Sequence, residues 1–282
     1  ILMTFYNIVI CIIIYILYKR LYSPEYLESN NESAVKRKSA ICCLTRGYRN
    51  KERYKDLIKR NEKLSQLSWS HLYDHIIFHE GNISEQHQTY IANRTNLPLR
   101  FVDINDTFNR KSNKVADDTC KSSPEWMVGY KRMCRFWFVD FWDYVKNYEY
   151  IIRFDEDVHV RPECKNPIEY GIENNMHYVT PFLMNEPYDV IDGLDKFVNK
   201  RFEDINKVPG THTQMIHIPY YINNPKVRAF IDKIDQSGCI LHNRWGDAPL
   251  MGILVREFTD PTEYDFNWQG FMGYHGSHHH EY

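Results

Sequence analysis

The chain opens on a nearly uninterrupted apolar run, Ile1 to Tyr18, closed by Lys19-Arg20. A run of that length is just enough to cross a bilayer as a helix. No small-residue cleavage site follows it, so the pattern predicts an uncleaved membrane anchor at 1–18. Residues 19–37 are polar, carry one Pro and show no periodic apolar face, which reads as a stem or linker. From residue 38 to residue 282 the pattern becomes that of a folded domain. Short apolar runs predict strands at Ser39–Thr45, Asp74–His79 and Pro98–Ile104. Between them, Arg49–Leu67 places Tyr54, Leu57, Ile58, Asn61 and Leu64 on one helical face, and Ser84–Asn93 reads as a second helix. Such alternation is the βαβ pattern of a parallel sheet. Residues 105–124 are polar and irregular, and read as a loop. Glu125–Val145 reads as a helix dense in aromatics, with Trp126, Tyr130, Phe136, Trp137, Phe138, Phe141 and Trp142.

The next run changes the picture. Tyr148 to Phe154 is apolar, β-branched and aromatic, and it leads directly into Asp155-Glu156-Asp157. A continuous apolar reading suits a buried strand covered on both faces. Carboxylates at its carboxyl end would stand in the crevice where open α/β sheets bind their ligands. Side chains alternate along an extended chain, so Asp155 and Asp157 are expected on one side and Glu156 on the other. Two hard oxygen donors suit Mg²⁺ or Mn²⁺, and such an ion can hold a diphosphate. The tripeptide by itself fits an exposed acidic turn better, and it is the strand in front of it that narrows the gap. Downstream, His177–Phe182 and Gln214–Tyr221 read as strands, and Asn224-Pro225 opens a helix that Gly238 ends. Asp247-Ala248-Pro249 resembles a helix start with Asp247 as N-cap.

Composition adds bounds. A chain of 282 residues can bury one large α/β domain. Its net charge of -2 leaves no basic excess for a nucleic-acid partner. The seven cysteines form no metal framework: Cys42 and Cys43 are adjacent, and Cys120, Cys134, Cys164 and Cys239 are far apart. Those six would be able to pair in an oxidising lumen, but their spacing identifies no connectivity.

Five segments together resemble the fungal-type α-1,2-mannosyltransferases of glycosyltransferase family 15. They are Ile76-Ile77-Phe78-His79-Glu80-Gly81-Asn82, Tyr130-Lys131-Arg132-Met133-Cys134-Arg135-Phe136, Arg153-Phe154-Asp155-Glu156-Asp157-Val158, Arg244-Trp245-Gly246-Asp247-Ala248-Pro249 and Gly273-Tyr274-His275. Their order is the family's, and they span roughly residues 39 to 276. The resemblance implies an α/β GT-A fold with a mainly parallel central sheet flanked by helices, and a catalytic domain over 38–282. It also implies a GDP-mannose donor, a glycan or glycoprotein acceptor, and transfer with retention of anomeric configuration. By position, Asp155, Asp157 and His275 take the places of the family's metal ligands. A histidine in the set favours Mn²⁺ over Mg²⁺. Arg46, Tyr130, Arg132, Arg135 and Asp155 are candidates for donor binding, since Arg meets phosphate and Tyr can stack on guanine or abut the sugar. Asp247 is the candidate catalytic carboxylate, with helix capping as its other reading. His217 and His242 read as ordinary core or rim histidines.

Two departures from the family pattern bear on chemistry. The family's Glu-Pro-Asp is Asp155-Glu156-Asp157 here, which keeps both outer acids and loses the rigid Pro. The family also carries a Glu before its Arg-Trp-Gly-Asp block, and the corresponding stretch His217 to Asn223 has no acid. A covalent route needs a carboxylate beside the anomeric carbon. Either Asp247 supplies it, or transfer proceeds front-face with the leaving phosphate taking the acceptor proton, or the activity is altered. The same gap motivates another reading, a membrane-tethered glycan-binding protein that kept the fold without the chemistry. A metal-dependent phosphoesterase is a third, and it lacks a second ligand cluster. On topology, family analogy places the domain in the Golgi or an equivalent secretory lumen, and sequons at Asn31, Asn82, Asn93 and Asn105 suit that. Basic residues Lys19, Arg20, Lys36, Arg37 and Lys38 point instead to a cytosolic domain, as in a viral factory.

Overall fold

The structure, a computed structural model, describes residues 38–109, 128–276 and 280–281. Residues from Lys38 onward form one compact unit. The anchor and stem expected over 1–37 lie outside the described residues. Among the described residues, no helix is long and apolar enough to cross a membrane.

The centre is a seven-stranded sheet in the order β10-β6-β9-β4-β1-β2-β3. Its strands are β1 (Ser39–Thr45), β2 (Asp74–His79), β3 (Leu99–Asp103), β4 (Tyr150–Phe154), β6 (Tyr178–Val179), β9 (Thr213–His217) and β10 (Tyr264–Asp265). β1 runs parallel to both β2 and β4, and β2 parallel to β3. β10 runs parallel to β6. Only β9 is reversed, antiparallel to both β4 and β6. All five residues of β4 are buried, as a strand sandwiched between two apolar layers requires. Alternate residues feed opposite layers. Ala40, Cys42, Phe78 and Ile151 join the aromatic helix on one side, while Ile41, Ile152 and Phe154 meet Leu64, Trp268 and Phe271 on the other.

Helix α1 (Lys55–Ser65) follows a short turn capped by the Asn50 side chain, which accepts from the Glu52 amide. Its inner face is Leu57, Arg60, Asn61 and Leu64, while Ile58 is only half-buried. The unexpected member is Arg60. Its Nε donates to the Phe154 carbonyl at 3.0 Å and Nη2 to the Cys42 carbonyl at 3.3 Å. The buried guanidinium is therefore satisfied by strand carbonyls and, through Nη1, by Asn61 Oδ1 at 2.8 Å, rather than by an acid. Helix α2 (Glu85–Ala92) is capped by Ser84.

The aromatic helix is α3 (Val128–Arg135), continued by a π turn over Phe136–Asp140 and an α segment over Phe141–Val145. The Phe141 amide bonds back to the Phe136 carbonyl, an i to i+5 step. Three successive aromatics, Phe136, Trp137 and Phe138, are all buried there, which a regular helix presenting one stripe would not allow. Residues 110–127, most of the expected polar loop and the expected start of this helix, lie outside the described residues.

Downstream, Gln214–Tyr221 is not one strand. β9 ends at His217, and Pro219 sits in the first turn of a short helix, Ile218–Ile222. The expected strand over His177–Phe182 contracts to β6. Helix α4 (Pro225–Ser237) begins on an Asn224 cap and ends at Gly238, whose φ of 71° is the left-handed conformation glycine tolerates. Helix α5 (Asp247–Phe258) is capped by Gly246, not by Asp247, which is its first helical residue and makes no cap hydrogen bond. A second small sheet pairs β5 (Val158–Val160) with β11 (Gly273–His275) and β12 (His280–Glu281). β7 (Leu183–Asn185) and β8 (Lys207–Pro209) form a two-stranded antiparallel sheet joined by residues 186–206, and β8 packs on α5. Cys42, Cys43, Cys134, Cys164 and Cys239 are free thiols; Cys120 lies outside the described residues.

Candidate active site

The acids after β4 form a turn rather than a straight extension, with the Val158 amide bonded to the Asp155 carbonyl at 3.1 Å. Their side chains still separate into two directions. Glu156 turns toward β1, accepting from Thr45 Oγ1 and, at 3.2 Å, from the Tyr48 hydroxyl. Burial raises the Glu156 carboxyl above its usual range. Asp155 and Asp157 face the side occupied by His275. Asp157 Oδ1 lies 3.3 Å from His275 Nε2, and the Gly276 amide donates to the Asp157 carbonyl at 2.8 Å. Antiparallel pairing of β11 with β5 sets this contact, because His275 is in register with Val158. The His212 ring meets His275 edge-on, 4.6 Å between centroids.

Arg153 ties this group together. It is the one charged residue within β4, fully buried, and its guanidinium carbon lies 4.1 Å over the Trp137 ring. Nε and Nη2 grip the Asp155 carboxylate at 2.7 and 3.2 Å, while Nη1 donates to Asp247 Oδ2 at 2.6 Å. Burial opposes a charge on Asp155, but the adjacent guanidinium overrides it and holds the carboxyl below its ordinary range. Asp247 thus does not cap its helix; its side chain closes onto the acidic strand end, 94 residues away in sequence.

Tyr130 stands on the far side of Asp247. A Cβ built on Gly246 would lie 3.8 Å from the Tyr130 hydroxyl, and the Arg244 guanidinium carbon sits 5.2 Å from its ring centre. The neighbouring Cys134 thiol, together with burial and Asp247, pushes the Tyr130 hydroxyl upward, so it stays a protonated donor. Arg46 and Arg132 form a separate basic rim. Both act on Glu80, Arg46 also on Glu156, and Arg132 donates to Asn109 Oδ1. This rim is set by close approach: a Cβ on Gly47 would lie 2.2 Å from the Asn82 carbonyl oxygen.

Arg135 is a correction. Its guanidinium binds Asp140 at 2.6 Å and Asp235 at 2.9 and 3.2 Å, lashing α3 to α4. Its hydrogen-bonding capacity goes to the scaffold rather than to a donor. The segment His217–Asn223 is a second correction. His217 pairs with Tyr150 and Thr213 with Phe154, so the segment lies about 13 Å along the sheet from the acids, four strand residues. A carboxylate placed there would not reach them. Opposite Arg153 stands Gln214, buried and accepting from the Tyr178 hydroxyl. Sequence reading also missed Arg153 and His212, although a lone Arg inside an apolar strand beside an acid is a readable sign.

Among the described residues, no group of three or more His, Cys, Asp or Glu side chains could hold a metal ion. The Asp157–His275 pair is nevertheless a fitting half-site. Its 3.3 Å separation is close to the edge of an octahedron built from ~2.1 Å bonds, about 3 Å. Asp155 is engaged by Arg153 and does not complete that pair.

No family model matches the chain. Over 172 residues it is 26% identical to a probable mannosyltransferase, KTR3, of Saccharomyces cerevisiae, covering 52% of this chain and 42% of that protein. The chain therefore spans less than half the length of this curated relative. The structure matches core-mannan synthase A (CmsA/Ktr4) of Aspergillus fumigatus, solved in its Mn/GDP form, with a TM-score of 0.68 at 16% identity over 81% of this chain and 72% of that one. It matches the S. cerevisiae mannosyltransferase Ktr4p in complex with GDP with a TM-score of 0.69 at 15% identity, over 84% and 71% of the two chains. The fold is GT-A. The chain is similar to fungal-type mannosyltransferases in sequence and shares their architecture. Mouse xyloside xylosyltransferase 1 shares that architecture more loosely, with a TM-score of 0.51 at 8% identity over 80% and 84% of the two chains.

Proposed function

We propose that the chain is a glycosyltransferase that moves mannose from GDP-mannose to a glycan or glycoprotein acceptor, with retention and an α-1,2 linkage. Its similarity to fungal mannosyltransferases, one of them solved with Mn and GDP, supports the donor and the ion. The observation that carries the reading is the buried bridge from Asp155 through Arg153 to Asp247. It joins two of the family-like segments at the carboxyl edge of the sheet, where α/β folds bind nucleotides.

Asp157 and His275 are the residues that would hold Mn²⁺, or Mg²⁺ in its place. When bound, the ion offsets charge on the departing diphosphate. The chain's own groups do the rest. Arg153 keeps Asp155 ionised and holds the Asp247 carboxylate in place. Arg46 and Arg132 draw the donor's phosphates toward the crevice, and Tyr130 abuts the sugar. Asp247 Oδ2 is committed to Arg153, which favours attack from the leaving-group face over a covalent intermediate on this carboxylate. The acid-free 217–223 segment, which motivates a degenerate glycan-binding fold, lies at the far end of β9 from the acids, so its lack of a carboxylate does not weigh against the enzyme. We assign the domain to the Golgi or an equivalent lumen, tethered by residues 1–18.

The test is a panel of nucleotide sugars with Mn²⁺ or Mg²⁺, given to the full chain in detergent with a mannoside acceptor. GDP-mannose should be consumed in preference to the others. Absence of transfer and hydrolysis with every donor would overturn the reading. Protease protection in intact vesicles checks topology: digestion without detergent would place the domain outside the lumen.

A further inference from the structure

A second carboxylate stands at the Asp247 end of the site, and neither motif nor spacing singles it out. Glu186 follows β7, and its amide bonds to the Asn206 carbonyl at 2.9 Å, extending the β7–β8 pairing by one bond. That strand pair is seated on α5. A Cβ on Gly252 of the helix would lie 2.9 Å from Pro209 Cδ of β8, so the two backbones are in close contact. Asp247 is the first residue of the same helix. The chain after Glu186 is fastened to the residues just before Asp247 at three points. Arg244 pairs with Asp189, the Gly246 amide donates to the Val190 carbonyl at 3.2 Å, and Trp245 Nε1 donates to the Asp192 carbonyl at 2.7 Å. Held from both sides, the Glu186 side chain is half-buried, Asp247, Arg244 and Asp189 act on it electrostatically, and it acts in turn on Tyr130.

These carboxylates differ in commitment. Asp155 and Asp247 share one guanidinium, and Asp157 pairs with His275. Among the described residues, no cation is locked against Glu186 in this way; Arg244, which acts on it, is paired with Asp189. On β7 and just past Glu186, Leu183 and Tyr188 expose apolar surface, which suits contact with a sugar.

We propose that Glu186 is a catalytic residue of the transfer, the base that receives the attacking hydroxyl of the acceptor sugar. The proposal rests on the mannosyltransferase reading above and assigns that site its acceptor side. The acceptor oxygen forms a bond to the anomeric carbon, and the bond from that carbon to the diphosphate oxygen breaks. The electron pair leaves with GDP, and the hydroxyl proton passes to the Glu186 carboxylate. Burial and the neighbouring Asp247 push this carboxyl up to about 7, and a base is most useful when its pKa lies near the working pH.

The experiment compares full-length wild type and Glu186→Gln in detergent with GDP-mannose, Mn²⁺ and α-methyl mannoside, alongside GDP affinity by calorimetry. The expected result is a fall in kcat of about 100-fold or more, the usual contribution of a general base, with GDP affinity changed less than about twofold. The wild-type profile of kcat/KM against pH should carry an acid limb near pH 7, absent from the variant, and Glu186→Asp should restore part of the rate. Transfer by Glu186→Gln within about fivefold of wild type, or an unchanged acid limb, would overturn the proposal and leave the proton to the departing diphosphate. A wild-type profile with no acid limb near pH 7 would overturn it as well, even if Glu186→Gln failed to fold. Absence of transfer by wild type would instead fell the mannosyltransferase reading, and Glu186 with it.

Discussion

Replacing Arg153 by Met is the sharpest perturbation available, because one buried cation neutralises two acids. Met keeps much of the side chain's volume while removing the guanidinium. The Arg153 side chain is 3% exposed and that of Asp247 7%, so Asp247 would be left buried without a partner, while Asp155, 27% exposed, would be partly screened by water. Removing one partner of a buried pair costs roughly 3–5 kcal/mol. The contact with the Trp137 ring adds about 1 kcal/mol to that loss. In a domain of this size each kcal/mol moves the melting midpoint by roughly 2–4 °C, so Arg153→Met should lower it by about 10 °C or more. The assay is thermal unfolding of the ligand-free protein by near-ultraviolet circular dichroism. The double variant Arg153→Met/Asp247→Asn should regain about half the loss, since neutralising the stranded acid removes much of the penalty. The gap should also narrow in acid. The Asp155 carboxyl is depressed in the folded wild type, so its stabilisation is present above its ordinary pKa of 3.8 and disappears as pH falls through the lower folded value. A single variant melting within about 2 °C of wild type, or a double variant no better than the single, would refute the claim that Arg153 binds the site together.

Asp157→Ala should abolish Mn²⁺-dependent GDP binding in calorimetry while the ligand-free melting midpoint barely moves; unfolding would make the acid structural. Arg135→Met should do the reverse, costing about 2–3 kcal/mol through the lost ties to Asp140 and Asp235 with GDP affinity unchanged; a tenfold loss of GDP affinity in a folded variant would return Arg135 to the donor site. Glu186 carries a sign opposite to that of Asp155. Its folded pKa of about 7 exceeds its ordinary 4.5, so the native state holds more protons between those values and stability falls as pH rises through them. Glu186→Gln should flatten that slope in urea titrations at a series of pH values; an unaltered slope would contradict it.

What the sequence reveals depends on how local the cause is. β1, β2 and β4 are legible because strands covered on both faces must be apolar throughout. The bounds of α4 are legible because Asn224 and Gly238 are local signals. The break after His217 was announced by Pro219, yet the apolar letters around it mimic a longer strand. Asp247 shows the limit. Its neighbours Ala248 and Pro249 spell a helix start, and only the tertiary structure reveals that its carboxylate is claimed by Arg153 rather than by its own helix. Arg60 and Glu186 are invisible for the same reason: each looks like a surface charge, and each is defined by what a distant segment brings to it. The acid-free 217–223 segment was misjudged because strand direction, which decides the end at which a residue emerges, is not written in periodicity.

The π turn in the aromatic helix has a consequence for how this chain compares with its relatives. One extra residue in a helical repeat rotates everything beyond it by about 100°. Tyr130 and Cys134, which meet Asp247, lie before that turn, and Phe141, Trp142 and Val145, which anchor the core, lie after it. The two halves are thus phase-locked through residues 136–140. A single deletion there would leave composition and hydropathy almost untouched while swinging the hydroxyl of Tyr130 off Gly246. An alignment gap at that point is a mechanical event, to be placed by the geometry of the helix and not by the best-scoring letters.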